Sequence, residues 1–298
     1  MNVLEYKKEV FFMWVMYAFA SAFFAGITAI LSKIGIKNIG SELATAIRTC
    51  VVLVFSWLIV FISGAQFQLF DISIKTIIFL VLSGFATGAS WLCYFKALQL
   101  GSVSKVTPVD KSSTILSMVM AFIFLREEVT WLKILCILLI ATGTYIMAIN
   151  NDNTEETQTG SKWFLWAVLS AVFAALTSIL SKVGISGINS NLGTAIRTIV
   201  VLVMSWIVVL VKKSQKEIAI LNRRDVFFLV VSGIATGLSW LAYYKALHDG
   251  PVSIVTAIDK LSILVTILFS YVILKEKISK KTLLGLCLLT GGTLLLIV

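Results

Sequence analysis

The sequence predicts an all-α integral membrane protein of ten transmembrane helices, arranged as two inverted five-helix repeats. Three observations lead there. The 298 residues are 59% hydrophobic and only 13% charged, whereas a soluble domain carries about 25% charged residues. Apolar runs long enough to cross a bilayer, about 20 residues each, fall near 11–31, 43–62, 76–98, 106–125, 131–149, 163–180, 192–211, 226–247, 254–274 and 283–298. The second half of the chain also repeats the first. Shifted by 149 positions, residues 14–149 align with 163–298 without a gap, and about two in five positions are identical.

Inversion follows from the odd number of spans. Five crossings leave the chain on the opposite side of the membrane, so two alike halves must cross in opposite senses. The chain divides into residues 1–149, a linker at 150–162 and residues 163–298. The Asn/Thr/Glu/Gly composition of 150–161 reads as an exposed connection. The other loops are mostly short, which makes neighbouring spans antiparallel. The run from Val10 to Leu31 exceeds the core of a signal peptide, about 7–15 residues, and is expected to remain as the first span.

The net charge is +10, but the basic residues sit in short loops. No continuous basic face with interleaved aromatics exists, which excludes nucleic acid as a partner and leaves lipid headgroups and topology. Lys212, Lys213, Lys216, Arg223, Arg224, Lys275, Lys277, Lys280 and Lys281 all fall on the linker side, so a cytoplasmic linker and external termini are expected. Cys50, Cys93, Cys136 and Cys287 lie inside apolar runs, with no CxxC and no nearby His. They read as small buried hydrophobes, and neither a disulfide, a metal nor a cofactor is expected.

Polar residues inside the spans are the candidates for chemistry. Arg48 and Arg197 occupy matching runs, Ala44-Thr45-Ala46-Ile47-Arg48-Thr49 and Gly193-Thr194-Ala195-Ile196-Arg197-Thr198. A guanidinium stays protonated and in hydrocarbon needs water, a partner or a cavity. Two readings compete: snorkelling to the interface, or an inward-facing cation for an anionic group. Thr45, Thr49 and Ser56, with Thr194, Thr198 and Ser205, add a polar stripe at helical spacing. The pairs Asp110-Lys111 and Asp259-Lys260 lie about a turn into spans four and nine. Each reads either as a coupling carboxylate with an adjacent cation or as part of an ion pair fixing helices together, and the aspartates are expected to occupy the arginines when the site is empty. Pro108 would loosen span four, while its counterpart is Ala257. Trp57, Trp206, Trp91 and Trp240 sit deep in their spans and are candidate cavity walls. Gly84 and Gly88, with Gly233 and Gly237, are small-xxx-small packing signals. Lys96 and Lys245 sit near span ends and read as snorkelling to the interface, and His248, at a span end beside Asp249, reads as solvated.

Several of these pieces carry a family resemblance: the Ala-Thr-Ala-Ile-Arg-Thr stretch, Ser-Gly-Phe-Ala-Thr-Gly-Ala-Ser-Trp-Leu at 83–92, Tyr-Phe-Lys-Ala-Leu at 94–98, Val-Asp-Lys-Ser-Ser at 109–113 and Leu-Arg-Glu-Glu at 125–128, each returning in the second half. The chain resembles the drug/metabolite transporter superfamily, EamA type, along nearly its whole length. It is especially similar to members only one repeat long, which must pair to make a complete unit. The resemblance implies ten helices and export or exchange of small metabolites, without a particular substrate.

Independently of it, an inverted duplication with symmetric in-span charges points to a secondary transporter of the inner membrane. Such a carrier works by alternating access around a central site between the repeats. The expected substrate is a small molecule, anionic or amphoteric, and the protein a monomer or homodimer. A channel or a structural scaffold is the alternative. No HExxH, GxSxG or paired histidines suggest an enzyme.

Overall fold

A backbone in hydrocarbon must satisfy its own N–H and C=O groups, and the apolar runs accordingly fold as helices. The computed structural model describes residues 3–35, 39–100, 106, 109–149, 162–274 and 279–297. The helices are α1 (Val3–Gly35), α2 (Ser41–Ile62), α3 (Ile74–Leu100), α4 (Ser113–Phe124), α5 (Trp131–Ile149), α6 (Lys162–Ile185), α7 (Ser190–Lys212), α8 (Arg223–Asp249), α9 (Val252–Asp259), α10 (Ser262–Leu274) and α11 (Lys280–Leu295). Residues 109–111 are also helical. Among the described residues, seven stretches are long and apolar enough to cross a membrane: those in α1, α2, α3, α6, α7 and α8, and Val252–Phe269. Trp131–Met147 is a shorter apolar helix. The protein is a multi-pass membrane protein, and its outer surface is correspondingly apolar, with Phe12, Ile62, Phe70 and Trp131 between 63% and 93% exposed.

The repeat survives in detail. Helices α3 and α8 start 149 residues apart, as do the 3-10 turns Ala65–Asp71 and Ser214–Ile220 that precede them. The same position caps both helices. Thr76 N donates to Ser73 Oγ at 3.1 Å, and Asp225 N donates to Asn222 Oδ1 at 2.8 Å.

Packing crosses the repeats. Helix α1 lies against α8 and α10, and its equivalent α6 lies against α3 and α4. Each first span therefore packs on the third and fourth spans of the other repeat. Helices α2 and α7 pack on each other, as do α5 and α11. In the first of these pairs, Val60 meets Leu192 and Ala195, while Val209 meets Leu43 and Ala46. The two clusters are images under the 149-residue shift. The end of each helix meets the start of the other, so repeat equivalents run antiparallel. Along α5 and α11, a Cβ added at Gly143 would lie 2.5 Å from Gly285 O, and one at Gly292 would lie 3.1 Å from Cys136 O. These two approaches are also images.

The glycine pairs are packing sites. A Cβ at Gly84 would lie 2.7 Å from Val200 Cβ and 3.2 Å from Arg197 O. One at Gly233 would lie 2.7 Å from Val51 Cβ and 3.2 Å from Arg48 O. Spans four and nine are each interrupted near the Asp-Lys pair. Lys260 N donates to Ala257 O and Leu261 N to Ile258 O, three residues back, which ends α9 before α10 begins. The first repeat breaks at the same place, where Ser112 N and Ser112 Oγ both donate to Val109 O. Pro108 and the linker 150–161 lie outside the described residues. The second repeat breaks with Ala257 in the proline's position, so proline is not required. The feature shared by both breaks is the Asp-Lys pair.

Candidate functional site

Helix α7 carries Arg197 two turns below Ser190, and the close approach allowed by Gly84 brings its side chain onto α3. The guanidinium is 1% exposed. Its Nε donates to Ser83 Oγ at 3.2 Å and its Nη2 to Thr87 Oγ1 at 2.8 Å. Its Cζ lies 4.5 Å from the Tyr244 ring centroid and 5.7 Å from that of Trp240. Hydroxyls and aromatic faces thus surround the cation, the latter attracting it through their quadrupoles. Arg48 has the same backbone setting against Gly233, yet its Nη2 donates to Thr45 Oγ1, 3.1 Å away on its own helix, and it is only partly buried.

The other tryptophans separate from this site. Trp57 packs with Val60, Leu192 and Ala195, and Trp206 packs with Leu43, Ala46 and Val209. Both therefore belong to the α2–α7 contact. Trp91 is partly buried on α3. Trp240 is the tryptophan whose ring faces Arg197.

The aspartates go to serines, which corrects the expectation that they rest on the arginines. Ser21 Oγ donates to Asp259 Oδ1 at 2.7 Å, and Ser170 Oγ donates to Asp110 Oδ1 at 2.8 Å. Ser239 Oγ stands 3.3 Å from Ser21 Oγ, and Ser90 Oγ stands 3.3 Å from Ser170 Oγ. These are again images of one another. Among the described residues, neither aspartate forms an ion pair with either arginine. Asp110, Lys111, Asp259 and Lys260 instead lie within electrostatic reach of one another. Asp259 and Lys260 line a cavity of about 120 Å3 with Thr114, Ser117, Ser178 and Tyr243, the last two joined by a 3.0 Å hydrogen bond. Its walls come from α4 of the first repeat and from α6, α8 and α9 of the second. A carboxylate, an ammonium and several hydroxyls converge there, which suits a small polar solute carrying charge. Sequence reasoning missed Ser21, Ser170, Ser90 and Ser239, although each matches its partner at the 149-residue shift.

A larger cavity of about 700 Å3 opens at one end of the bundle, between Tyr17, Gln68, Asn189, Asn191 and Lys245. Lys245, read as snorkelling, and His248, read as solvated, are both held by Asp249 there. Two further charged residues at this end are outside the sequence-predicted candidates. Lys182 donates its Nζ protons to the carbonyls of Leu247, His248 (3.0 Å) and Gly250 (2.9 Å). Glu127, from the Leu-Arg-Glu-Glu motif, accepts from Val252 N at 2.6 Å, Ser253 N at 3.2 Å and Ser253 Oγ.

Comparison with known proteins gives this geometry a context. The EamA-like transporter family matches twice, over residues 12–149 and 161–298. A Sinorhizobium sp. protein named "Uncharacterized transporter in cobO 3'region" is 42% identical over 136 residues, which are 46% of this chain and 96% of that protein. That relative is therefore about one repeat long. The "Uncharacterized transporter YxxF" of Bacillus subtilis (strain 168) is 25% identical over 195 residues, 65% of this chain and 60% of that protein. One solved crystal structure superposes with a TM-score of 0.79 over 95% of this chain and 96% of its own, at 14% identity, a likeness of fold.

Proposed function

Because the chain belongs to the EamA-like transporter family, we propose that it is a secondary carrier that exports or exchanges a small metabolite by alternating access. Ten membrane crossings, in two inverted repeats at 1–149 and 163–298 around the 150–162 linker, make one complete unit. The substrate site is the cavity at the helix break in span nine. The observation that carries this reading is that Asp259 and Lys260 enter a hydroxyl-lined space walled by both repeats. A site at such a boundary can be approached from either side as the helices rock. A carboxylate beside an ammonium matches an amphoteric solute, one group for each charge. Asp110 and Lys111 tune the field of the site as its near images. Arg197 ties α7 to α3 through Ser83 and Thr87 with the Trp240 ring of α8 against it, Arg48 is its image position on α2, Trp91 lies on α3 as the image of Trp240, and Trp57 and Trp206 pack the α2–α7 contact.

A metabolite efflux screen with and without the protein identifies the solute. Proteoliposome uptake then tests the site. Uptake saturates for a carrier, and Asp259→Asn and Lys260→Met lower the rate at least about tenfold, the effect of losing one charged hydrogen bond. Trp57→Phe leaves the rate unchanged. A flux that rises linearly with solute identifies a channel instead. An Asp259→Asn variant at the wild-type rate moves the site elsewhere.

A further inference from the structure

The α8–α9 corner, residues 249–251, joins the C-terminus of one helix to the N-terminus of the half-helix that carries Asp259 and Lys260. Both helix ends there expose backbone groups with no intrahelical partner. Lys182 satisfies the carbonyl end and Glu127 the N–H end. The signs agree with the helix dipole, a cation at the C-terminus of α8 and an anion at the N-terminus of α9. The two side chains lie within electrostatic reach of each other. Trp14 of α1 fills the inside of the corner, and a Cβ on Gly250 would lie 2.6 Å from its Cδ2.

The ownership of these groups matters more than their number. The corner packs with α1, but Lys182 comes from α6 and Glu127 from the connection after α4. Helices α4 and α6 pack together in the other half of the crossed arrangement. Two charged side chains therefore bridge the two packed bodies at a single end of the bundle, the end of the 186–189 turn. The grip is built from side chains on backbone groups, which water can replace; beneath it Ala121 and Ile185 share an apolar core with Leu247 and Val252. Under the 149-residue shift their sequence counterparts are Lys33 and Glu276. Those side chains lie outside the described residues.

We infer that Lys182 and Glu127 form a releasable clasp on the α8–α9 corner, which holds the cavity shut towards the 186–189 turn and must open for solute to pass there. The inference rests on the alternating-access reading, but its test needs no solute. In a chain lacking the four native cysteines, Ser117→Cys puts a thiol on the cavity wall. A separate Ser186→Cys, in the exposed turn, reports which aqueous side meets that end. An impermeant maleimide is applied to intact cells and to inverted vesicles. Glu127→Gln or Lys182→Met raises labelling of the Ser117→Cys thiol roughly tenfold from the side that labels Ser186→Cys, the ratio expected for one charge-assisted hydrogen bond. Labelling from the other side does not rise. Ser253→Ala, which removes one of the three donors to Glu127, gives a smaller rise in the same direction, and Lys182→Arg gives none. Unchanged labelling in the Ser253→Ala and Lys182→Met variants overturns the clasp, and so does an equal rise from both sides. Directional labelling with no saturable transport of any solute leaves the clasp standing and removes the carrier reading. Saturable transport with unchanged labelling does the reverse.

Discussion

Arg197 and Arg48 occupy the same motif, one turn from the same threonines and against the same glycine contact, yet their heads rest in different places. Arg197 crosses to Ser83, Thr87 and the Tyr244 ring on neighbouring helices. The image residues Ser232, Thr236, Trp91 and Phe95 are all present for Arg48. The difference lies in who holds the ring. Lys212 Nζ lies 5.3 Å from the Phe95 ring centroid while pairing with Glu42 at 3.1 Å. At the other end, Ser63 and Asn191 stand at the positions of Lys212 and Glu42, and Tyr244 is left to Arg197. A duplicated backbone thus sets where two helices touch. A few unmatched charges set which side chain fills the space beside the contact.

The largest test of this contrast is removal of the two heads. Arg197→Ala takes a fully buried, hydrogen-bonded side chain from the α3–α7 contact and leaves a void. It lowers stability by about 3 kcal/mol, and Arg48→Ala, which removes a less buried head, costs less, compared as unfolding midpoints in detergent. Equal losses would mean that Arg48 is held as firmly as its image. Gly84→Leu and Gly233→Leu examine the part that is the same. Each forces a side chain into a contact that rejects even a Cβ, and each costs about 2 kcal/mol. A clear inequality between them would break the backbone symmetry on which the comparison stands.

Much of this was written in the residue pattern. Apolar runs at membrane length and a gapless repeat fix the number of copies and their opposite senses. The Gly84 and Gly233 signals correctly named close helix contacts. The crossed packing was not legible, because spacing along one helix states which face is polar but not which neighbour meets it. The serine partners of the aspartates lie 60 and 238 residues away in sequence, and a serine among apolar residues looks the same whether it bonds its own helix or another. The arginines drew attention because their charge is permanent. Depth in the membrane then suggested a carboxylate partner, whereas at Arg197 aromatic rings and hydroxyls meet the same need.

Two smaller effects sharpen the comparison. Ser21→Ala and Ser170→Ala each remove one hydrogen bond to an aspartate and cost about 1 kcal/mol. Double-mutant cycles with Asp259→Asn and Asp110→Asn should return matching coupling energies, since this pair of sites is symmetric where the arginines are not. The smallest effect is the most specific. Lys212→Met clears the Phe95 ring, and in that background Arg48→Ala costs about 0.5 kcal/mol more than in the wild type, the value of an accessible cation–π contact. No change would mean that Lys212 does not decide where Arg48 goes.

The antiparallel α2–α7 and α5–α11 contacts have one more consequence. In each, a helix packs on its own copy, so the surface is self-complementary, the signature of an isologous interface between identical chains. Such a seam functions before any fusion of the copies, provided that two chains insert in opposite directions, as a relative one repeat long would have to do. Joining the copies removes the need for one sequence to fit both orientations. Positions facing the two ends are then released from a shared constraint, and Glu42 with Asn191, and Lys212 with Ser63, are where that release can be read.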